Sequence, residues 1–526
     1  MKKTIAITLS LYFLLVGNIY SQKKIEKGLK QITPELLTQY ITYLASDSMK
    51  GRNTPSRELD LAADYIATEF ASIGIKKING SYFQIIPFYT KNLDVNKSFL
   101  KISLGQESKN FSLKTDFTPF EMTADTLVNS SVVFAGFGIT APEYSYDDYK
   151  DIDVKGKIVL VMKHEPGEKD SKSPFDGERD TKYSQLATKL ENAKQHGAIG
   201  LLIVTDPLNH IMLTPQGYPW PSLSKFMPQE NLPVEICVKE TLIPFVQVGD
   251  AVIKYLFGSV DSLKSIQKRI DASNLPSSFQ INNSVCELST KLNIHDFTAK
   301  NVVGFVEGKD SKLMKEVIII GGHYDHVGFM KNHKEGEDYI FNGADDNASG
   351  TAGVMATAKA FASMKVKPKR SILFILFAGE EKGLYGSGFY CDNPLLPLNK
   401  SVAMLNMDMI GHNGNDSIEV EGEKLNPDLG IIIRNENKNI GLLIVEPKED
   451  MYSRSDHYNF FKKDISAMGF SSGLHKDYHT VRDEVGLINS YKAARITKLA
   501  FRTAWFLAND KKHYTTVKRK KLILGD

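Results

Sequence analysis

The segment KEVIIIGGHYDH, residues 315–326, contains the pattern that decides the fold of this 526-residue chain. A short apolar run bounded by turn-forming and polar residues is typical of a buried β-strand. Three later runs have the same form: RSILFILFAGEE (370–381), KSVAMLNMDMIGH (400–412) and ISAMGFSSG (465–473). Two segments have helical periodicity: SGTAGVMATAKAFASM (349–364) and SYKAARITKLAFRTAWFLA (490–508). This alternation predicts an α/β domain with a mostly parallel central sheet flanked by helices.

Polar side chains stand where these runs end or pass into a helix. They are His323 and Asp325, Asp345 and Asp346 in NGADDNASG (342–350), Glu380 and Glu381, Asp408, and His479 in DYHTVRD (477–483). The carboxyl ends of strands in an open α/β sheet face one crevice, so we expect these groups to converge there.

Convergence of so many carboxylates would require cations. Each like-charged pair about 4 Å apart costs on the order of 4 kcal/mol at an effective dielectric constant near 20, and without cations some carboxylates would protonate. Carboxylates mixed with imidazoles suit zinc, and one carboxylate can bridge two ions. The pattern therefore predicts a metal centre, although spacing alone does not separate Asp345 from Asp346 or Glu380 from Glu381.

Two amphipathic helices are predicted near the N-terminus. TPELLTQYITYLAS (33–46) begins with Thr33 as N-cap and Pro34 at the first helical position, and SRELDLAADYIATEFASIG (56–74) ends at Gly74. The apolar stripe is formed by Leu37, Tyr40, Ile41 and Leu44 in the first helix and by Leu59, Ala62, Tyr65, Ile66 and Phe70 in the second. Both stripes need a partner surface, which the α/β domain would supply.

The middle of the chain has a different pattern of predicted elements. Short apolar strands, SVVFAGFGI, KIVLVM and GLLIV, alternate there with Gly, Pro and acidic turns, around one helix, YSQLATKLENAKQHGA. VFAGFGITAPEYSYDDYKDIDVKGKIVLVMKHEPG followed by AKQHGAIGLLIVTDP resembles the protease-associated (PA) domain. No catalytic set is assembled in this block, so we interpret it as a mainly-β insert that borders a cleft.

These patterns divide the chain into five expected parts. They are a signal peptide (1–21), the N-terminal part of the α/β domain (22–117), the PA-like insert (118–290), the rest of the α/β domain, which carries the predicted metal centre (291–510), and a basic tail (511–526).

Composition and the N-terminus limit the cellular context. MKKTIAITLSLYFLLVGNIYSQ (1–22) reads as a secretory signal cleaved after Ser21, and no second apolar run of roughly 20 residues follows, so we expect an exported protein without a membrane span. The 65 basic and 62 acidic residues leave a net charge of +3, which gives no reason to expect a nucleic-acid partner. Three cysteines, Cys237, Cys286 and Cys391, allow at most one internal disulfide. Oligomeric state is left open.

Residues 291–510 resemble the co-catalytic dizinc exopeptidases of peptidase family M28. The family signatures H-x-D, D-x-x-S-G, E-E, D-M-I-G and Y-H-T all occur in order, at 323–325, 346–350, 380–381, 408–411 and 478–480. LASDSMKGRNTPSRELDLAADYIATEF (44–70) also resembles members that carry a PA insert. Any one signature is weak, but five in the correct order make coincidence improbable.

The resemblance implies a role for each motif residue. It places His323 and Asp408 on one Zn²⁺, Glu381 and His479 on a second Zn²⁺, and Asp346 as the bridging ligand, which leaves Asp345 as a neighbour. Glu380 would be the general base that deprotonates a water held between the two metal ions. Asp325 would hold the second imidazole nitrogen of His323, and Tyr478 would steady the developing oxyanion.

Other residues near the motifs are not expected to be metal ligands or catalytic groups. His326, His412, His457 and His475 are expected to be surface or supporting residues, Cys391 is expected to be a buried inert thiol, and Asp483 either orients His479 or caps a turn.

The resemblance implies an exported aminopeptidase that cleaves peptides with a free N-terminus, with the substrate α-amine near Glu381. A carboxypeptidase or dipeptidase on the same scaffold would need a cation for the substrate carboxylate, and Arg454 is the candidate. Glutaminyl cyclisation on a related single-zinc scaffold fits less well, since the five-ligand set suits two metals. An inert binding protein built around the PA block is the alternative from another class.

Overall fold

The computed structural model describes residues 25–177, 179–210, 215–223, 234–236, 242–447, 451–514 and 516. The signal segment, Cys237 and most of the basic tail lie outside these residues, so the expectations placed on them stay predictions. Cys286 and Cys391 are free and buried, as expected for Cys391. Burial raises the pKa of both thiols to about 12, which makes them inert.

Helices and strands are numbered in chain order. The α-helices are α1 Pro34–Leu44, α2 Arg57–Ser72, α3 Leu186–Gln195, α4 Asp250–Phe257, α5 Val260–Ser273, α6 Gly350–Ser363, α7 Tyr385–Asp392, α8 Pro427–Asn437, α9 His457–Lys462 and α10 Ser490–Asn509. The strands are β1 Phe83–Leu93, β2 Phe99–Leu104, β3 Glu107–Phe111, β4 Phe117–Pro119, β5 Thr126–Ser130, β6 Val132–Ala135, β7 Thr140–Ala141, β8 Tyr146–Asp147, β9 Ile158–Met162, β10 Gly200–Val204, β11 Val234–Ile236, β12 Phe245–Val248, β13 Ser278–Gln280, β14 Ser284–Thr290, β15 Leu292–Val306, β16 Val317–His323, β17 Ser371–Phe377, β18 Ser401–Met407, β19 Ser417–Glu421, β20 Leu443–Val445 and β21 Ala467–Ser471.

The described residues divide into two compact units. The first contains those up to Phe88 and from Phe297 onward, and the second contains Tyr89–Asp296. The segment 89–117, which the sequence analysis assigned to the peptidase-like domain, therefore lies in the second unit. Its strands β2 and β3 pair with each other, and β2 also pairs with β14 of the second unit.

The first unit is organised around a mixed sheet. Its strands follow the order β1-β15-β17-β16-β18-β21-β19-β20. The central strands β17, β16, β18 and β21 are mutually parallel, whereas β15 and β19 run antiparallel to their neighbours β17 and β21. β16 and β17 are buried along their whole length, as their continuous apolar runs predict for inner parallel strands.

Helices cover both faces of this sheet. Val317 and Ile319 of β16 pack in one core cluster with Tyr390 of α7 and Phe460 of α9. Because side chains alternate along a strand, the fully buried Ile318 and Ile320 face the opposite layer. There α6 contacts the sheet and packs against α1, α2 and α10. This layered arrangement confirms the predicted α/β class.

The two N-terminal helices form as their sequences predict. The Thr33 hydroxyl accepts a hydrogen bond from the Leu36 amide (3.2 Å) and caps α1, whose four predicted apolar residues are all buried. In α2 the predicted stripe is buried except for Tyr65, which is half-buried. Gly74 follows α2 with φ +78°, a left-handed conformation that favours glycine.

The second unit contains two larger sheets and a short ribbon. One sheet has the order β13-β6-β9-β10-β12-β4, in which β6, β9, β10 and β12 are parallel, and the other is the antiparallel sheet β3-β2-β14-β5. Within the described residues of the whole chain, no helix is long and apolar enough to cross a membrane.

Candidate metal centre

The predicted site residues meet at one edge of the central sheet. His323 is the last residue of β16, Asp408 directly follows β18, and Glu380 lies three residues beyond the end of β17. β16 lies between β17 and β18 and is parallel to both, so their carboxyl ends carry these side chains to the same place.

The first of two clusters surrounds His323. Its Nε2 lies 3.2 Å from Asp408 Oδ1 and 3.4 Å from Asp346 Oδ1. The remaining Asp408 oxygen, Oδ2, accepts a hydrogen bond of 2.6 Å from the Ser455 hydroxyl. His323, Asp346 and Asp408 thus present ligand-type atoms that all lie within 4.8 Å of one another.

The second cluster surrounds His479. Its Nε2 lies 3.1 Å from Asp346 Oδ2 and 3.1 Å from Glu381 Oε2. Asp346 therefore directs one carboxylate oxygen to each cluster. This is the geometry that a bridging ligand requires.

His326, which the sequence analysis expected to be a surface or supporting residue, belongs to the second cluster. The residue is completely buried, and its Nδ1 lies 2.7 Å from Glu381 Oε1, so the surface alternative is wrong. This contact engages one Glu381 oxygen and leaves Oε2 directed at His479, as expected for a residue that orients a metal ligand. The only sequence signal was its position three residues after His323.

The two neighbouring aspartates point in different directions. Asp345 Oδ1 accepts a hydrogen bond from the Gly411 amide (2.6 Å), and its Oδ2 lies 3.4 Å from His475 Nε2, away from His479. Asp483 accepts hydrogen bonds from the amides of both Asp345 (2.8 Å) and Asp346 (3.0 Å). Asp483 therefore holds this stretch of backbone in place.

The backbone at these aspartates is irregular. Ala344–Ser349 forms a π-type turn in which Asp346 departs from helical φ and ψ, and the Asp346–Asn347 peptide is cis. α6 begins only at Gly350. Asn347 Oδ1 accepts hydrogen bonds from the amides of Gly350 (2.9 Å) and Met409 (3.1 Å), which ties this turn to the end of β18.

Asp325 contacts His323 mainly through its backbone. His323 Nδ1 lies 3.2 Å from the Asp325 carbonyl oxygen and 3.7 Å from the nearer carboxylate oxygen. The carboxylate accepts hydrogen bonds from the Thr54 hydroxyl (3.0 Å) and the Glu380 amide (3.2 Å). It therefore links the β16 loop to the residue proposed as the base.

Glu380 and Tyr478 lie beside the two clusters. Glu380 Oε2 is 3.8 Å from His323 Nε2. Burial raises the pKa of Glu380 well above its usual range; the His323 imidazole opposes this shift, and the Asp408 charge adds to it. The Tyr478 ring stacks on His479 with centroids 3.9 Å apart, and burial together with the Asp346 charge raises its pKa.

Burial and the close approach of carboxylates and imidazoles shift the pKa values of Asp346 and His479. Burial alone would raise the pKa of Asp346, but the neighbouring imidazoles of His323 and His479 outweigh burial and hold the pKa well below its usual range. Burial would likewise lower the pKa of His479, but its contacts with Asp346 and Glu381 raise it to about 10. These two carboxylates therefore favour the protonated, positively charged form of the His479 imidazole.

The donor set fits zinc. Each cluster combines imidazole nitrogens with carboxylate oxygens, which is a zinc-type set. The buried His479 Nε2 has two carboxylate oxygens at 3.1 Å yet makes no hydrogen bond of acceptable geometry, as expected for a nitrogen directed at an ion between them.

Arg52 holds the loops of the site together. It is completely buried and donates hydrogen bonds to the carbonyls of Tyr324 (2.9 Å), Asn342 (2.8 Å), Gly343 (3.0 Å) and Leu44. Burial lowers its pKa to about 10, an effect that the charge of Asp325 opposes. Arg52 therefore joins the loop after β16 to the turn before α6. The sequence analysis did not single it out.

The other histidines near the motifs are not on the surface. The His457 and His475 side chains are almost completely buried, and His412 stacks on His475 with centroids 3.8 Å apart. Arg454, the candidate carboxylate-binding residue, lines a pocket beside Asp408 together with Glu419.

The match to known families agrees with this geometry. Residues 301–504 match the family model described as peptidase family M28, and residues 124–251 match the model described as the PA domain. The chain therefore carries a domain of peptidase family M28 and a PA domain. This confirms the resemblance drawn from the sequence and the expected enzyme class, a hydrolase of the peptidase type.

Individual relatives cover parts of the chain. The aminopeptidase YwaD of Bacillus subtilis is 25% identical over 233 residues, which are 42% of this chain and 48% of YwaD. A probable zinc metalloprotease of Leptosphaeria maculans is 35% identical over 118 residues, which are 22% of this chain and 25% of the metalloprotease. The chain thus spans about half or less of these curated relatives. Among solved structures, the aminopeptidase from Aneurinibacillus sp. strain AM-1 aligns with a TM-score of 0.48 and 20% identity over 93% of this chain and 97% of that one.

Proposed function

We propose that this protein is a zinc-dependent aminopeptidase that removes residues from the free N-terminus of peptides. The observation that carries the proposal is the position of Asp346, whose two carboxylate oxygens face His323 on one side and His479 on the other. The zinc metalloprotease and aminopeptidase names of the relatives support the metal and the reaction class.

Five residues would hold the two metal ions. His323 and Asp408 would hold one Zn²⁺, His479 and Glu381 would hold a second, and Asp346 would bridge them. Bound there, the two ions would activate a water and polarise the scissile carbonyl.

Two further groups act on protons and charge. Glu380 would accept a proton from the water and deliver it to the leaving amine. The Tyr478 hydroxyl, beside His479, would donate a hydrogen bond to the oxyanion.

Pairs of peptides that differ only in N-acetylation test the proposal. Cleavage should require the free amine, which in this mechanism binds near Glu381. A chelator should abolish cleavage and zinc should restore it, while Glu380→Gln should lower kcat by about 10²–10⁴-fold with zinc content unchanged. Equal cleavage of the free and acetylated peptides would contradict an aminopeptidase.

A carboxypeptidase or dipeptidase is the second candidate, and the position of Arg454 in the pocket beside Asp408 favours it. In that case a peptide with a C-terminal amide should resist cleavage relative to the free acid. Equal cleavage of the amide and the free acid would show that Arg454 does not bind the C-terminal carboxylate of the substrate. Fewer than one zinc ion per chain and no cleavage of any peptide would instead support an inert PA-type binding protein.

We further propose export, on the basis of Lys2, Lys3 and the apolar run from Ile5 to Val16. Determination of the N-terminal residue of the protein recovered from its native cells tests this. Gln22 as the first residue is the expected result.

A further inference from the structure

A second group of potential ligands lies in the second unit, in the segments that follow β9 and β10. His164 is two residues beyond the end of β9, and Asp206 is two residues beyond the end of β10. The two strands are parallel, with Met162 opposite Val204, so both side chains reach the same edge of the sheet. Glu168 and His210 complete the group from the same two segments.

The four side chains are in mutual contact. His164 Nδ1 is hydrogen-bonded to Asp206 Oδ1, and His210 Nε2 lies 2.9 Å from Glu168 Oε2 and 3.7 Å from Asp206 Oδ2. One ligand-type atom from each residue lies within 4.8 Å of the other three. Two imidazoles and two carboxylates are a donor set of the kind that binds zinc.

Burial and charge in this cluster favour a cation. The Asp206 carboxylate is 1% exposed; besides its contact with His164 it accepts a hydrogen bond from the Gln267 side-chain amide (3.3 Å). A nearby cation also stabilises a carboxylate at that depth. A third carboxyl, that of Asp271, accepts a hydrogen bond from the amide of Gly167, the residue before Glu168 (3.0 Å). Two carboxylates and two imidazoles thus meet in the cluster, and a third carboxyl lies beside the segment that carries Glu168.

We propose that His164, Glu168, Asp206 and His210 bind one zinc ion in the second unit. Four protein ligands close the coordination sphere, which is the mark of a structural site rather than a catalytic one. The ion would join the segment after β9 to the segment after β10, so its effect falls on stability and not on turnover.

Ion binding requires a local rearrangement. The two imidazoles are stacked, with centroids 4.1 Å apart and planes at 22°, so their nitrogen lone pairs do not yet point at one position. Tetrahedral bonds of about 2.1 Å would bring neighbouring ligand atoms to roughly 3.4 Å. His210 is 31% exposed and has room to turn.

Zinc content measures the proposal directly. The full-length protein would be loaded with ZnSO₄ and desalted, and zinc per chain determined by mass spectrometry. His210→Gln and Asp206→Asn should each lose one zinc ion per chain relative to the wild type and show a smaller zinc-dependent rise in Tm. Peptide cleavage at saturating zinc should stay within about twofold, because a structural ion does not contact substrate.

Two controls separate this site from the catalytic one. His295→Gln, an exposed histidine of the same unit, should retain the full zinc content. In an Asp346→Asn background, His210→Gln should still remove one zinc ion, which distinguishes failure of this site from failure of the proposed function. Unchanged zinc content in a folded His210→Gln variant overturns the proposal. If Asp206→Asn does not fold, the zinc content of His210→Gln alone tests the proposed site.

Discussion

At the scale of single residues, Asp345 and Asp346 show how neighbouring aspartates acquire different roles. Asp346 faces both histidine clusters, whereas Asp345 accepts a hydrogen bond from the Gly411 amide and faces His475. We expect Asp346→Asn to lower kcat/KM by at least about 10²-fold and to reduce bound zinc, because in the proposed centre Asp346 is the ligand that the two metal ions share. Asp345→Asn keeps an oxygen that can accept the hydrogen bond from the Gly411 amide, so this variant should retain most of the wild-type kcat/KM and bound zinc. Steady-state kinetics and zinc content measure the pair, and a more damaging Asp345→Asn would reverse the assignment.

His457 supplies a prediction about acid stability. Burial lowers its pKa to about 3, against about 6.5 for a free histidine. As the pH falls from 6.5 toward 3, the unfolded chain binds a proton that the folded chain does not, so the free energy of unfolding decreases.

His457→Gln should remove this contribution. Between pH 6.5 and 5 the wild type should lose about 2 kcal/mol more than the variant, as measured by urea unfolding at both pH values. His295→Gln, whose side chain is exposed, should lose as much as the wild type. Equal losses in wild type and His457→Gln would rule out a neutral buried imidazole.

Sequence patterns located the motif residues better than the residues that support them. The order of five signatures predicted the eight motif residues, and the parallel strands explain why they converge. His326, Arg52 and Ser455 could not be predicted in the same way, because their contacts depend on loop paths. Asp325 shows the same limit: its position was predicted, but the atom nearest His323 Nδ1 is its carbonyl oxygen.

At the scale of elements, Arg52 connects the segment after α1, the loop after β16 and the turn before α6. Arg52→Lys should lower the free energy of unfolding by at least about 2 kcal/mol, because lysine cannot reproduce the fixed fork of donors and leaves buried carbonyls unpaired. Peptidase activity should fall as well, since the loop that directly follows His323 loses a hydrogen bond that holds it in place. Denaturant unfolding checks the first effect, with Arg57→Lys at the exposed start of α2 as the control. The control should change stability by less than about 0.5 kcal/mol.

The close packing of α6 on β18 gives a second element-scale prediction. A Cβ atom at Gly350 would lie 2.2 Å from the Met407 carbonyl oxygen, so Gly350→Ala must displace the start of α6. We expect a loss of about 1–3 kcal/mol and lower activity, because the turn that carries Asp346 moves with the helix. Thermal unfolding measures the loss. Gly486→Ala, where no atom lies within 4 Å of the added Cβ, should be neutral.

At the scale of the whole molecule, metal and proton binding should be coupled. In the metal-free protein the pKa of His479 is raised to about 10, so zinc must displace a proton there and its apparent affinity should rise with pH. Zinc should also raise Tm, by mass action on the folded state. Calorimetric titration in buffers of different ionisation enthalpy detects the released protons, and identical heats in all buffers would contradict the coupling.

The spacing of the ligands along the chain also bears on biosynthesis. His323 ends β16, whereas His479 follows β21, the strand on the far side of β18. Until residue 479 has been synthesised, only part of the donor set exists, and no nascent chain shorter than this can complete both clusters. The proposed metal centre therefore cannot be completed during most of the chain's own translation.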